Sequence, residues 1–314
     1  MRLSLSAAFG GKGDFLAHDH GHTHKPPADL GPAFRWAVGL NTAYVIVEAT
    51  AGFLSSSLAL LADAAHNLTD VAGLLIAWGA AVLAKRVGSA AFTFGYGRAT
   101  ILAAMLNAVA ILIGVVVVIW EAAHRFQSVV EVPGLTILLV ALVGIGVNTG
   151  SALLFMKSQK EDLNAKGAYL HMAADAGVSG AVVLAAAGIM LTGWQWLDPA
   201  VAIAVSLLIA VTAWSLLRSS LRLELDGVPE IIDRQVVADW LGALDGVSHV
   251  HDLHIWALST TRTALAVHLV WDGTDPDAFL DQVTDELEHD FGIGHATVQL
   301  ERAPCERAGI CRAV

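Results

Sequence analysis

Long apolar runs alternate with short polar segments over the first 217 residues. The runs lie at roughly residues 34–53, 58–84, 99–123, 134–156, 164–191 and 198–217. Each has about the 20 residues that a helix needs to cross a hydrocarbon layer of about 30 Å. Lipid satisfies no backbone N–H or C=O group, so the runs are predicted to be six membrane-spanning helices. The first boundary is the weakest, because only Ser55, Ser56 and Ser57 divide the first two runs.

The periodicity changes after the sixth run. Two later segments have helical spacing and three alternate as strands do, in the order α-β-β-α-β: 230–243, 247–258, 262–271, 276–291 and 295–302. This order predicts a small two-layer domain with helices on one face of a sheet. The expected fold class is therefore an all-α six-helix transmembrane domain followed by an α+β domain.

Composition and charge support this division. The chain is 55% hydrophobic and only 15% charged, against about 25% charged residues in ordinary soluble domains. Residues 226–314 contain 16 acidic and 5 basic side chains, whereas the first 225 residues contain 13 of each. A purely soluble enzyme and a disordered chain are thus excluded. The acidic excess argues against a nucleic-acid partner, and two cysteines give no disulfide framework.

We predict four parts from these changes in pattern. They are a His-rich flexible arm at residues 1–33, a six-helix membrane domain at 34–222, the α-β-β-α-β domain at 223–304, and a tail with two cysteines at 305–314.

The basic residues predict the orientation of the chain, because cytoplasmic loops are enriched in Lys and Arg. With a cytosolic N-terminus, only Arg125 lies in an outer loop. The inner loops and flanks would then contain Arg35, Lys85, Arg86, Arg98, Lys157, Lys160, Lys166, Arg218 and Arg222. We therefore place both termini and the acidic domain in the cytosol, and the short loops favour a bacterial inner membrane.

The second and fifth predicted spans share one motif of ionisable residues. His66 and Asp70 in the second, and His171 and Asp175 in the fifth, are both His-x-x-x-Asp. At this spacing both side chains lie on one helix face. Counted from the cytosolic helix ends, Asp70 and Asp175 lie roughly 21 and 16 Å deep. Two such faces turned toward each other would offer two imidazoles and two carboxylates to one divalent cation.

Ligand chemistry narrows the choice of ion. Imidazole mixed with carboxylate suits Zn²⁺, although Co²⁺, Ni²⁺ and Cd²⁺ stay open. Imidazoles must be neutral to bind a metal, and they titrate near neutral pH, so protons compete with the ion. We therefore expect export of Zn²⁺ in exchange for H⁺.

The spans contain further polar residues outside the two motifs. Asp63 lies one turn before His66, where a second layer around the metal, a proton site and a structural hydrogen bond are all open interpretations. We expect Asn41, Glu48 and Asn148 to hold helices together. Asp198 is near a helix end, where ordinary capping accounts for it.

Four segments resemble the cation diffusion facilitator family, specifically its zinc-transporting branch. They are SSLALLADAAHNLTDVAG at 56–73, FGYGR at 94–98, HMAAD at 171–175 and VHDLHIW at 250–256. The resemblance covers nearly the whole chain. It implies a homodimer, alternating access, metal/proton antiport and a cytosolic domain of the ferredoxin-like, metallochaperone-like type. It also implies a charge interlock between Arg98 and Asp226 that joins the membrane and cytosolic parts.

The resemblance also indicates metal sites outside the membrane. His251, His268 and Glu301 match the family's zinc site at the dimer interface, where zinc would have a structural or regulatory role. Some relatives pair C-terminal cysteines with N-terminal histidines, which makes a second site with His295, Cys305, Cys311, His18 and His20 a candidate. The alternative is two free thiols on a frayed end. The loop after the second span contains Tyr96 and no histidine, so we expect no loop site there.

Two other functional classes compete with transport. An intramembrane metalloenzyme is disfavoured, since no His-Glu-x-x-His motif is present and no Glu adjoins a ligand histidine; we expect no enzymatic activity. A membrane-anchored zinc sensor or scaffold is the stronger alternative. A mere anchor, however, has no need for two buried His-x-x-x-Asp pairs.

Overall fold

The computed structural model describes residues 32–128, 130–156 and 163–303. Within these ranges the side chains at 32–38, 70, 74–75, 77–78, 154–155 and 163–171 lie outside the description. Six long helices come first: α1 (Pro32–Ser55), α2 (Leu58–Ala84), α3 (Ala99–Arg125), α4 (Gly134–Phe155), α5 (Leu163–Thr192) and α6 (Leu197–Glu224). The first five match their predicted runs closely, whereas α6 continues beyond the predicted end at residue 217 to Glu224. The predicted arm and the cysteine tail fall outside the described residues, except Pro32 and Ala33 at the start of α1.

Four of the described helices are long and apolar enough to cross a membrane. They span Ala99–Arg125, Gly134–Leu153, Met172–Thr192 and Leu197–Glu224. The helical membrane domain of the predicted fold class is thus confirmed, whereas the number of six spans stays a prediction.

The boundary between α1 and α2 is sharper than the sequence indicates. Ser56 has a left-handed backbone (φ 53°), and the Ser57 side chain caps α2 by accepting a hydrogen bond from the Leu60 N–H. The buried carboxylate of Asp198, at the start of α6, accepts from the Leu58 N–H at 2.8 Å and from the Ala59 N–H at 3.2 Å. Asp198 therefore caps α2 rather than its own helix, and it satisfies donors that lipid would leave unpaired.

The second part of the chain has the predicted order of elements. It contains α7 (Arg234–Gly242), β1 (Val247–Ala257), β2 (Thr263–Trp271), α8 (Pro276–Phe291) and β3 (His295–Glu301). The sheet order is β1-β2-β3; β1 pairs antiparallel with β2, and β2 pairs parallel with β3. A parallel pair needs a crossover connection, which α8 provides. This confirms the α+β domain.

Both helices of this domain pack on one face of the sheet. Val237 and Leu241 of α7 and Val283 and Leu287 of α8 meet alternate residues of the strands in a single buried core. On β2 those residues are Leu265, Val267 and Leu269. Because side chains alternate across a strand, His268 projects from the other face.

A β-bulge sets which β1 side chains share that other face. The register shifts between His251 and His254, and Asp252 inside this segment has φ 53°. His251 pairs with His268, while Leu253 and Ile255 beyond the bulge belong to the core. The extra residue thus lets His251 and the core residues of β1 face opposite sides of the sheet.

Candidate metal centres

The structure brings together one residue from each His-x-x-x-Asp motif. His66 Nε2 of α2 lies 3.4 Å from Asp175 Oδ1 of α5. Asp175 is buried and His66 is partly buried. A histidine and a carboxylate at this distance can both ligate one ion, since Zn–N and Zn–O bonds of about 2.0–2.2 Å at a tetrahedral angle place the two ligand atoms about 3.4 Å apart.

The other two predicted ligands lie on the same helices. Asp70 follows His66 by four residues in α2, and His171 precedes Asp175 by four in α5. Their side chains are outside the described residues, so the four-ligand arrangement stays a prediction.

A buried hydrogen-bond network adjoins this contact. Asp63 accepts a hydrogen bond from the Ser179 hydroxyl at 3.1 Å, and Asn67 donates to Glu48 at 3.3 Å and to Asp63 at 3.5 Å. Tyr44 donates to Glu48 at 2.6 Å. Glu48, Asp63 and Ser179 are fully buried. From the sequence we expect Glu48 to join helices, and three interpretations of Asp63 are open. No sequence pattern predicts that these residues of α1 and α2 belong to one network.

Three candidate ligands converge on the face of the sheet opposite its core. His251 Nε2 is 3.2 Å from Glu301 Oε2, and His268 Nδ1 is 3.1 Å from Glu301 Oε1. One ligand atom from each residue lies within 4.8 Å of the others. Among the described residues this is the one group of three or more metal-ligating side chains so arranged.

The polar atoms of this cluster indicate what it could bind. His251 is buried, and its two ring nitrogens have no hydrogen-bond partner among the described residues; the same holds for His268 Nδ1 and Glu301 Oε2. These atoms approach each other closely without hydrogen-bond geometry. Buried polar atoms without partners are costly. A cation between two imidazoles and a carboxylate would satisfy them, so the residues fit a zinc ion.

The remaining predicted site residues divide into two groups. Arg98 Nη2 contacts Asp226 Oδ1, so the pair expected as the interlock forms an ion pair between the start of α3 and the segment after α6. His295 starts β3, and its ring forms a T-shaped contact with the ring of Phe94 at a centroid distance of 5.3 Å. His18, His20, Cys305 and Cys311 lie outside the described residues.

Comparison with known proteins assigns the family. Residues 35–223 match the model described as cation efflux transmembrane domain, and residues 229–303 match the model described as cation efflux protein, cytoplasmic domain. The chain belongs to the cation diffusion facilitator family. This confirms the resemblance drawn from the sequence. Members of this family are membrane transporters of metal cations, so the chain is a multi-pass membrane protein of the cation efflux type.

Several bacterial relatives resemble this chain over most of their length. The metal cation efflux system protein CzcD of Cupriavidus metallidurans is 39% identical over 92% of both chains. The zinc transporter ZitB of Escherichia coli is 37% identical over 92% of this chain and 94% of its own. The cadmium, cobalt and zinc/H⁺-K⁺ antiporter of Bacillus subtilis is 36% identical over 83% of this chain and 85% of its own.

Solved structures also match part of the chain. The metal-bound C-terminal domain of the Cupriavidus metallidurans CzcD transporter is 38% identical; the match covers 22% of this chain and 99% of that domain, with a TM-score of 0.21.

Proposed function

We propose that this chain exports Zn²⁺ across a bacterial inner membrane in exchange for protons, as a homodimer that works by alternating access. The observation that carries the proposal is the approach of His66 Nε2 to Asp175 Oδ1 between α2 and α5. Ionisable side chains inside a membrane helix bundle are costly, and where they occur they mark ion or proton pathways. Asp70 and His171, one turn away on the same two helices, would complete the site.

The choice of Zn²⁺ and of antiport follows from the ligands. Two imidazoles with two carboxylates match the tetrahedral preference of zinc better than the oxygen sites of Mg²⁺ or Mn²⁺. Zinc and protons compete for imidazole, so a proton gradient can drive release. Relatives named as a zinc transporter and as a cadmium, cobalt and zinc/H⁺-K⁺ antiporter support the same assignment.

The other parts of the chain have proposed roles around this transport site. His251, His268 and Glu301 would hold a regulatory or structural zinc ion between the cytosolic domains of the dimer. Arg98 and Asp226 would transmit domain movement to α3, because they join the two parts of the chain. The His-rich arm, with His18 and His20, would capture metal in the cytosol, and a site with His295, Cys305 and Cys311 stays a candidate.

A flux measurement tests the exchange of zinc for protons. In proteoliposomes that contain the full chain, Zn²⁺ uptake is expected to rise several-fold when the lumen is more acidic than the bath, because outward protons then drive inward zinc. A zinc-sensitive dye in the lumen reports the rate, and vesicles without protein supply the background. Zinc flux that is indifferent to the imposed pH gradient would contradict antiport.

Replacing a ligand imidazole tests the selectivity. In His66→Asp the site gains a hard oxygen ligand and loses a nitrogen, so the ratio of Zn²⁺ to Mn²⁺ flux should fall by roughly an order of magnitude. The same vesicles are assayed with Zn²⁺, Cd²⁺, Co²⁺ and Mn²⁺. His124→Asp is the matched control, because His124 is an exposed residue near the end of α3. An unchanged ion ranking in His66→Asp would show that this imidazole does not select the ion.

A further inference from the structure

Two carboxylates meet between α1 and α2, beside the predicted transport site. Glu48 and Asp63 are joined by the Asn67 amide, which donates to both. Tyr44 donates to Glu48 and Ser179 to Asp63. Both carboxylates are 0% exposed. No Lys or Arg of the described residues contacts them; the charged or titratable groups that face them are Tyr44 of α1, His66 of α2 and Asp175 of α5.

The charge of this pair follows from its surroundings. Two adjacent carboxylates in a dry helix interface repel each other strongly when both are ionised, and without a cation they share one proton. The neutral donors Tyr44, Asn67 and Ser179 stabilise the remaining single negative charge. The pair therefore holds an exchangeable proton that is not on a predicted metal ligand.

The position of the pair couples it to the metal. Asp63 precedes His66 by three residues on α2, and Ser179 follows Asp175 by four on α5. The Asp63–Ser179 hydrogen bond and the His66–Asp175 contact therefore join the same two helices, one helical turn apart. A divalent cation one helical turn away attracts the negative form of the pair and favours loss of its proton. When the metal leaves, the repulsion between the two carboxylates restores the proton.

Helix α4 contributes further buried polar atoms near the pair of carboxylates. The amide of Asn148 and the hydroxyl of Ser151 are at most 1% exposed and have no hydrogen-bond partner among the described residues. Asn148 lies one turn beyond Gly144, where a Cβ atom would come within 2.2 Å of Tyr44 Oη and 3.0 Å of Ser179 Oγ. Gly144, Asn148 and Ser151 therefore share the face of α4 that contacts the network.

Unpartnered buried amide and hydroxyl groups of this kind are satisfied by internal water. Water at Asn148 and Ser151 would extend the hydrogen-bond network from Tyr44 along this face of α4. Since Gly144 lies beside Ser179 and Gly134 beside Ala186, α4 and α5 are antiparallel, and Asn148 is level with Asp175. Such water would therefore connect the pair with the transport site.

We propose that Glu48 and Asp63 share the proton that exchanges for the metal, and that this proton travels along the α4 face formed by Gly144, Asn148 and Ser151. The inference rests on the proposed antiport function. It assigns the coupling proton to carboxylates of α1 and α2 that are not predicted metal ligands, so metal binding and proton release can be altered independently.

Proton release on metal binding tests the assignment. Zn²⁺ is added to the full-length protein in weakly buffered detergent solution, and released protons are counted with a pH dye. Glu48→Gln mimics a permanently protonated side chain and keeps its volume. It is expected to bind zinc but to release about one proton fewer than wild type, because the pair holds one shared proton. Glu121→Gln is the matched control, since Glu121 is exposed on α3 and contacts Arg125.

A second variant covers the case in which Glu48→Gln does not fold. Tyr44→Phe removes one donor to Glu48 at nearly constant volume, so the pair should hold its proton more tightly and metal-linked release should move to higher pH.

In vesicles, Asn148→Leu should slow proton counterflow several-fold. Proton release at wild-type level in Glu48→Gln, or an unchanged pH profile in Tyr44→Phe, would overturn the proposal. Wild-type vesicles without metal flux would overturn the proposed function and this inference with it, whereas wild-type flux with an unchanged proton count in Glu48→Gln would overturn this inference alone.

Discussion

Replacing Asp175 with alanine is expected to reduce metal transport by at least about tenfold. Changes to residues that merely orient metal ligands cost about 10–100-fold in metal affinity or activity, and loss of a ligand should cost no less. The variant removes the buried carboxylate that lies 3.4 Å from His66 Nε2. Zinc flux into proteoliposomes that contain equal amounts of folded protein measures the effect.

Glu121→Ala supplies the control for this experiment. Glu121 is an exposed carboxylate of α3 that pairs with Arg125, away from the α2–α5 contact. Its loss should leave zinc flux unchanged, because surface ion pairs contribute little. Should Asp175→Ala transport zinc at the wild-type rate, the assignment of α2 and α5 as the ion pathway would be wrong.

The same variant separates transport from sensing. A transporter without Asp175 loses flux while the ligands on the sheet still bind zinc. A membrane-anchored sensor has no need of Asp175, and its zinc response would persist in the variant. Measuring zinc binding and flux on one preparation of Asp175→Ala therefore distinguishes the two functions.

Replacing Glu301 with alanine is expected to weaken zinc binding by the cytosolic domain by about 10–100-fold or more. The Glu301 carboxylate is the acidic member of the cluster, and its two oxygens approach His251 and His268 at 3.2 and 3.1 Å. Without it, only two imidazoles remain of the three ligands that the cluster offers to a cation. Titration of the full-length chain in an Asp175→Ala background removes the contribution of the transport site from the measurement.

Glu288→Ala is the control for the cytosolic cluster. Glu288 is an exposed residue of α8 near its C-terminal end. This substitution should leave zinc binding unchanged. Equal zinc affinity in Glu301→Ala and Glu288→Ala would exclude the cluster of His251, His268 and Glu301 as a zinc site.

The fold was largely predictable from the sequence because its patterns are local. The first five long helices lie within a few residues of their apolar runs, and the strands and helices of the second domain follow in the predicted order. Lipid imposes helix formation on any long apolar run, and alternation of side chains defines strands. The His-x-x-x-Asp spacing places each pair on one helix face by the same local rule.

The contacts between helices could not be predicted in this way. Sequence spacing shows that Glu48 and Asp63 are polar residues in apolar surroundings, but their approach depends on how α1 packs against α2. The sequence position of Asp198 suggests that it caps its own helix, α6. In the fold, its carboxylate accepts hydrogen bonds at the start of α2 instead. Such pairings depend on helix rotation and crossing, which periodicity leaves open.

The sequence by itself therefore determined the helices, the α-β-β-α-β order and the residue types that can bind a divalent cation, since these depend on short-range spacing and side-chain chemistry. Only the tertiary structure decided that His66 faces Asp175, that the bulge at Asp252 turns His251 toward His268 and Glu301, and that Glu48 and Asp63 meet. These contacts join residues far apart in the chain, and their geometry results from the packing of whole helices and strands.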